Sequence, residues 1–280
     1  MARDTSFSYS FLVLPDEQRQ AIGLVWDFCR AVDDAVDEAP DEVTGAREIG
    51  RWREEVGRLF GGGAPLTPQG QNLAPVVAAF SLSRQPFDDL VDGVEMDLRH
   101  KTYQTFDELS GYCRRVASAV GLMCIEIFGA RDSRSRDYAF NLGLALQLTN
   151  IIRDVAVDLK NGRVYLPQED LARFGVSEAD LRAGVVTPAM RNLLAHQCQR
   201  ARQFYTAAAQ AMPHAEAARL IAAEIMGGIY FEILQRIERR HYDVFTELIR
   251  VPKAVRARIA LSIWARGQLS ALGYRLFSRA

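Results

Sequence analysis

Two stretches of the sequence carry acids at a spacing that chemistry can use. In the first, Cys29-Arg30-Ala31-Val32-Asp33-Asp34-Ala35-Val36-Asp37-Glu38, Asp33 and Asp37 stand four residues apart. A helix puts both on one face, with Arg30 one turn earlier. Taken alone, such a segment reads as a solvated helix end. The second stretch, residues 142–167, changes that reading. Gln147, Asn150, Asp154 and Asp158 lie at offsets of 0, 3, 7 and 11. At about 100° per residue they fall in a narrow sector of one helix face. Their neighbours Leu144, Leu148, Ile151, Ile152 and Val155 are strongly apolar, so this polar stripe runs down a helix that should be buried. Unpaired buried carboxylates are costly, and holding a metal is one of the few ways to keep them.

Oxygen ligands without thiolate or imidazole suit a hard divalent cation, above all Mg2+, and argue against zinc or copper. Mg2+ commonly uses a few carboxylates and completes its shell with water and substrate phosphates. Arg30, Arg153 and Arg163 stand beside the acids and suit the remaining phosphate oxygens. Acids, metal and arginines together imply a diphosphate substrate. An apolar helical surrounding implies that the rest of that substrate is hydrocarbon.

The elements that must position these residues are helices. Apolar residues recur at helical spacing through 17–38, 43–60, 70–83, 86–99, 106–128, 133–158, 187–211, 214–249 and 252–276. Pro15, Pro68, Pro86, Pro188, Pro213 and Pro252 sit near the starts of these stretches, where a missing N–H costs least. Asp132-Ser133 and Thr187 are plausible N-caps. No segment alternates apolar and polar residues as a strand would, so the expectation is all-α. The tract GGGAPLTPQG at 61–70 and the stretch 159–168 read as loops, and neither is long enough to link two domains. Residues 1–280 are therefore read as a single helical domain.

The composition is that of a globular protein, with 49% hydrophobic and 25% charged side chains. A chain of 280 residues buries roughly three quarters of its unfolded surface. With 34 basic against 35 acidic residues the net charge is −1, so a nucleic-acid partner is not expected. Cys29, Cys113, Cys124 and Cys198 form no C-x-x-C pair, and the four histidines show no i, i+4 pairing. A disulfide framework, a thiolate zinc site and a histidine metal site all lack support. The N-terminus has no basic n-region, and no apolar run reaches the roughly eighteen residues of a membrane span. A cytoplasmic location is the expectation.

At its acidic motifs the chain resembles the squalene/phytoene synthases, which join two prenyl diphosphates head to head. The family's D-D-x-x-D appears as Asp33-Asp34-Ala35-Val36-Asp37, and N-x-x-R-D-x-x-x-D as Asn150 to Asp158. R-x-Y-x-P follows as Arg163 to Pro167, and Y-C-x-x-V-A-S-x-V-G runs from Tyr112 to Gly121. Ser6–Tyr9 and Phe28–Arg30 match as well. Phrases around 7–14, 28–38, 92–103 and 116–129 look most like the bacterial hopanoid-pathway presqualene diphosphate synthases.

The resemblance implies a helical bundle of the isoprenoid synthase type, with a central cavity and the two acidic helices facing each other at its mouth. Asp33, Asp37, Asn150, Asp154 and Asp158 would hold Mg2+ on the diphosphates. Ser6, Trp26, Arg30, Gln147, Arg153, Arg163, Tyr165 and Tyr242 are the implied substrate-binding residues. Trp26 stands where many members carry tyrosine, and Asp4 is an unusual neighbour for an anion-binding Ser6. Asp33, Asp37, Asp154, Asp158 and Tyr112 are the implied catalytic residues. Tyr112 is expected near the cationic centre, taking a proton by way of the released diphosphate. The implied activity is a prenyl transfer that condenses two farnesyl diphosphates to presqualene diphosphate and diphosphate. Squalene, dehydrosqualene and phytoene are the alternative products. A non-catalytic lipid-binding scaffold is the rival from another class, and loss of an acid or of Arg153 would be its sign.

Residues 250–280 hold seven basic side chains and no acidic one: Arg250, Lys253, Arg256, Arg258, Arg266, Arg275 and Arg279. Val255, Ile259, Leu261, Ile263, Trp264, Leu269, Leu272 and Leu276 interleave with them. The plain reading is a last bundle helix with a basic solvent face. The sharper one is weak, salt-sensitive attachment to an anionic membrane surface. Oligomeric state has no signal in the sequence.

Overall fold

Proline and cap residues set the helix starts. In the computed structural model, which describes residues 10–99 and 102–277, Pro15 precedes α1 (Asp16–Asp37). The Asp41 carboxylate accepts from the Thr44 N–H to cap α2 (Glu42–Gly61), and Thr67-Pro68 opens α3 (Pro68–Phe80). α4 (Gln85–Arg99) is followed by α5 (Phe106–Cys113), capped by Thr105. A π-helical stretch, Arg114–Ser118, then runs directly into α6 (Ala119–Phe128). The long α7 (Ser133–Lys160) starts at Asp132, and α10 (Pro188–Ala211) starts at Thr187, both as expected. Between them lie the short α8 (Gln168–Phe174) and α9 (Glu178–Ala183). α11 (Ile221–Arg239) and α12 (Lys253–Phe277) complete the order.

The all-α expectation holds. Among the described residues extended backbone pairs only at an isolated parallel bridge, Thr102 to Val164. Three boundaries differ from the periodicity. Residues 106–128 do not form one α-helix, because the π-helical stretch widens the turn after Tyr112. Residues 214–249 form a short 3-10 turn (His214–Glu216) and α11, not a single helix. α11 stops because His241 and Tyr242 take positive φ (53° and 65°), and the Asp243 carboxylate accepts from the Phe245 and Thr246 N–H groups. α8 and α9 are too short to show a stripe in sequence.

α7 is the central helix, packed against α6, the π-helical stretch, α10 and α11. Its first half joins a core with α1 to α4 and α6, where Phe28 packs edge-on against Trp52 and Phe87. Its second half joins another core with α5 and α8 to α11. Phe28, Phe87, Leu73 and Leu144 are fully buried, each worth about 1.5–3 kcal/mol relative to exposure. Val13, Leu146 and Tyr205 are half-buried and touch both cores. The site lies where these two halves face each other.

Two glycines let the wide turn sit close to its neighbours. A Cβ on Gly143 of α7 would lie 2.6 Å from the Ser118 Cα, and one on Gly93 of α4 would lie 2.7 Å from the Arg115 Cβ. The π-helical backbone is thus wedged between α4 and α7, and the Ser118 hydroxyl donates to the Phe140 carbonyl at 2.8 Å. This fixes the register of Tyr112, one turn earlier, against both helices.

Candidate active site

α7 is buried on most sides but leaves a half-buried stripe of Leu146, Gln147, Asn150, Arg153, Asp154 and Asp158. Because other helices enclose α7, that stripe borders interior space. Arg153 holds Asp154 in a two-pronged contact, Nε at 2.7 Å and Nη2 at 2.6 Å. Across from it, Asp37 is the last residue of α1, where a carboxylate meets the negative end of the helix dipole. Arg163 compensates, donating from Nη2 to Asp37 at 2.9 Å.

Arg163 reaches α1 because the chain after α7 is pinned. Thr102 bridges Val164, and the Gln168 and Glu169 N–H groups donate to the Tyr103 and Gln104 carbonyls at 2.9 and 3.0 Å. The same pinning delivers Tyr165 to the end of α4. There Asp97 accepts from two phenols, Tyr165 at 2.8 Å on one carboxylate oxygen and Tyr112 at 2.9 Å on the other. The rings of Tyr112 and Tyr165 stack with centroids 5.3 Å apart, with Tyr103 against both.

The carboxylates share one space. Asp33 is pushed up to about 7 by burial, then by Asp97, Asp37 and Asp34, against the opposing charge of Arg163. Yet its side chain is open to solvent. Asp33 thus stands at the open side of the acidic group. Asp158 is pushed up to about 7 by burial, Asp154 and Asp97. Asp97 is itself raised, chiefly by burial, although Arg163 and both phenols oppose the shift. Acids from α1, α4 and α7 therefore converge, with Arg163 among them.

Among the described residues no three His, Cys, Asp or Glu side chains come together tightly enough to enclose a metal. The set fits a different kind of site, one where a Mg2+ ion touches one or two carboxylates and phosphate oxygens complete its shell. Asn150 carries the specific sign. Its Oδ1 is buried without a hydrogen-bond partner, an acceptor on the acidic stripe of the kind a cation or its water satisfies.

The squalene/phytoene synthase family model matches residues 1–258. The chain belongs to this family. It is 39% identical over 255 residues to a phytoene synthase of Arthrospira platensis, covering 86% of this chain and 82% of that protein. It is 37% identical to a 15-cis-phytoene synthase of Synechococcus elongatus, covering 88% and 84%. Among solved structures it superposes on a dehydrosqualene synthase in complex with ligand at TM-score 0.84, with 27% identity and coverage of 94% and 92%. Squalene synthase HpnC from Alicyclobacillus acidocaldarius gives 0.77, with 32% identity and coverage of 86% and 91%. The bundle is accordingly of the isoprenoid synthase type.

Within this family member, several expected residues take other places. Arg30 pairs with Asp34 at 3.6 Å and lines a cleft of about 250 Å³ with Asp27, Gln69 and Asn72, between α1 and α3. It does not contact Asp33 or Asp37, because Asp34, one turn on, takes its guanidinium. Tyr242 is not brought to the acids: the turn that ends α11 leaves it beside Cys198, Glu238 and Arg202. Trp26 shares the α1 face of Asp33 and is 37% exposed, while Gln147 is half-buried on the α7 stripe. Ser6 lies outside the described residues. Tyr112 donates its phenol hydrogen to Asp97. Burial, then Asp97 and Tyr165, hold its phenol protonated well above the ordinary value.

Asp97 is the residue that motif reading missed. It sits among Asp88, Asp89, Asp92 and Glu95, which look like a solvated face. Its phase is the signal: Leu90, Val94 and Asp97 are spaced four and three apart, so Asp97 continues the buried stripe of α4.

Proposed function

We propose that the chain joins two farnesyl diphosphates head to head, giving presqualene diphosphate, diphosphate and a proton. The observation that carries this reading is the convergence of carboxylates from α1, α4 and α7 around Arg163, beside the partnerless Asn150 oxygen. Asp33 and Asp37 on one side and Asn150, Asp154 and Asp158 on the other would hold Mg2+. When bound, that ion would neutralise the diphosphate oxygens as the allylic carbon–oxygen bond breaks. Arg153 and Arg163, now occupied by Asp154 and Asp37, are positioned to exchange a carboxylate for a phosphate partner. The bond's electron pair leaves with diphosphate, and the double bond of the second farnesyl group attacks the allylic cation. Proton loss then closes a cyclopropane. Tyr103, Tyr112 and Tyr165 offer ring faces to a cation, and the Asp97 carboxylate keeps two of these phenols oriented. Half-buried apolar side chains such as Leu146 keep water from the cation.

Farnesyl as the substrate is supported by the sequence likeness to presqualene diphosphate synthases and by squalene-named structural neighbours. A second reading, phytoene from geranylgeranyl diphosphate, is favoured by the cyanobacterial relatives. The test incubates the purified chain with each diphosphate and Mg2+, with and without NADPH, followed by mass analysis. Presqualene diphosphate from the farnesyl substrate without reductant is expected. Much faster phytoene formation would overturn the farnesyl assignment, and no product from either substrate would overturn the prenyl transfer.

A further inference from the structure

α12 packs against α11 through one side only. Arg256 and Ile263 are buried and Val255, Ile259 and Ala260 half-buried, while Ile259 and Ile263 lie against Gly228 of α11. The opposite side is exposed and apolar. Ala254, Ala257, Leu261 and Trp264, spaced 3, 4 and 3 apart, form a single stripe. Leu261 is 64% and Trp264 44% exposed. Exposed large apolar side chains elsewhere among the described residues are scattered one to an element, which is ordinary for a surface. Here two stand a turn apart. Exposed Lys253 and Arg258 border the stripe, with Arg250 just before the helix and Arg266 further along it. No acidic side chain occurs from residue 250 onward.

We infer that this face of α12 docks on an anionic lipid surface, with Leu261 and Trp264 entering the headgroup boundary and Lys253 and Arg258 meeting lipid phosphates. An apolar stripe edged by cations matches such an interface in both components. The absence of acids removes the repulsion that a negatively charged surface would otherwise impose. Buried Arg256 does not take part, so the attraction comes from fewer cations than the sequence count suggests. The inference stands apart from the proposed chemistry, since none of these residues touches the acidic site.

The test sediments the full chain with phosphatidylcholine vesicles and with vesicles containing phosphatidylglycerol. Tryptophan emission is recorded for the parent chain and for Trp264→Phe, whose difference is the signal of Trp264 beside Trp26 and Trp52. Binding only to the anionic vesicles, weakening with salt and accompanied by a blue shift, is expected. Leu261→Ser with Trp264→Ser should lower the bound fraction roughly tenfold or more, the factor that burying one large apolar side chain supplies. Its prenyl transfer in detergent should match the parent chain. Equal binding to both vesicle types, no binding at low salt, or undiminished binding of the double variant would overturn the inference. So would sedimentation equilibrium showing that the stripe is covered in a dimer that the double variant dissolves.

Discussion

On α7, Asp154 is held by Arg153, the next residue in the chain. On α1, Asp37 is held by Arg163, which stands 126 positions away and follows α7. The α7 motif is complete within one helix: its acids, its arginine and its partnerless Asn150 share a face that the neighbouring helices enclose. The α1 motif is completed only by folding, when the bridge between Thr102 and Val164 and its flanking hydrogen bonds swing Arg163 and Tyr165 across. The second half of the molecule thus brings its own charge balance, and the first half borrows it. Asp97 of α4 stands between them and receives a phenol from each side of the later sequence.

The largest test of this comparison removes one acid from each motif. Asp154→Ala and Asp33→Ala should each lower turnover at least about a hundredfold, the scale for groups that hold a metal or its shell, with helicity unchanged by circular dichroism. Near-normal turnover in either variant would break the pairing of the two helices. Asp97→Asn should lower turnover roughly ten- to a hundredfold, because one phenol keeps only a neutral acceptor and the other faces an NH2 donor, while thermal stability changes little. A large loss of stability with normal turnover would make Asp97 purely structural.

Gly143→Ala tests the wedge that presents Tyr112. Its Cβ meets backbone atoms of Ser118, so a loss of about 1–3 kcal/mol in urea unfolding is expected. Unchanged stability would show that the π-helical stretch yields easily.

Two of the raised carboxyls, Asp33 and Asp158, make a smaller, pH-dependent prediction. Asp33 and Asp158 move from an ordinary value of 3.8 to about 7 in the folded chain. Folding then favours their protonated forms. Their contribution is fully present below about pH 4 and is lost as pH rises through 7. In EDTA, stability should fall across that window, and Asp33→Asn with Asp158→Asn should flatten the slope. Mg2+ should raise Tm more at pH 8 than at pH 6, since protons compete with it. A slope unchanged in the double variant would assign the pH dependence to other groups.

The same contrast explains what the sequence disclosed. The α7 stripe was legible because four polar residues keep helical phase inside an apolar run, and burial alone makes that pattern costly. Asp33 and Asp37 were legible as a pair, but not their partner, since no periodicity links residue 37 to residue 163. The acid that Arg30 meets was not legible, because helix spacing allows Asp33, Asp34 or Asp37, and in the folded chain it pairs with Asp34. Asp97 stayed hidden behind the acids around it, although its phase with Leu90 and Val94 marked it. The π-helical stretch left no trace, because its cause is close backbone approach at Gly93 and Gly143 rather than any local pattern.

The central claim is that the two acidic helices form one Mg2+–diphosphate site. Calorimetric titration with farnesyl thiodiphosphate, which reacts too slowly to turn over, tests it most directly in the parent chain, Asp33→Asn and Asp154→Asn. Binding that needs Mg2+ and weakens at least about tenfold in each variant is the predicted result. Equal binding in EDTA, or binding that either variant leaves intact, would contradict a site shared between α1 and α7.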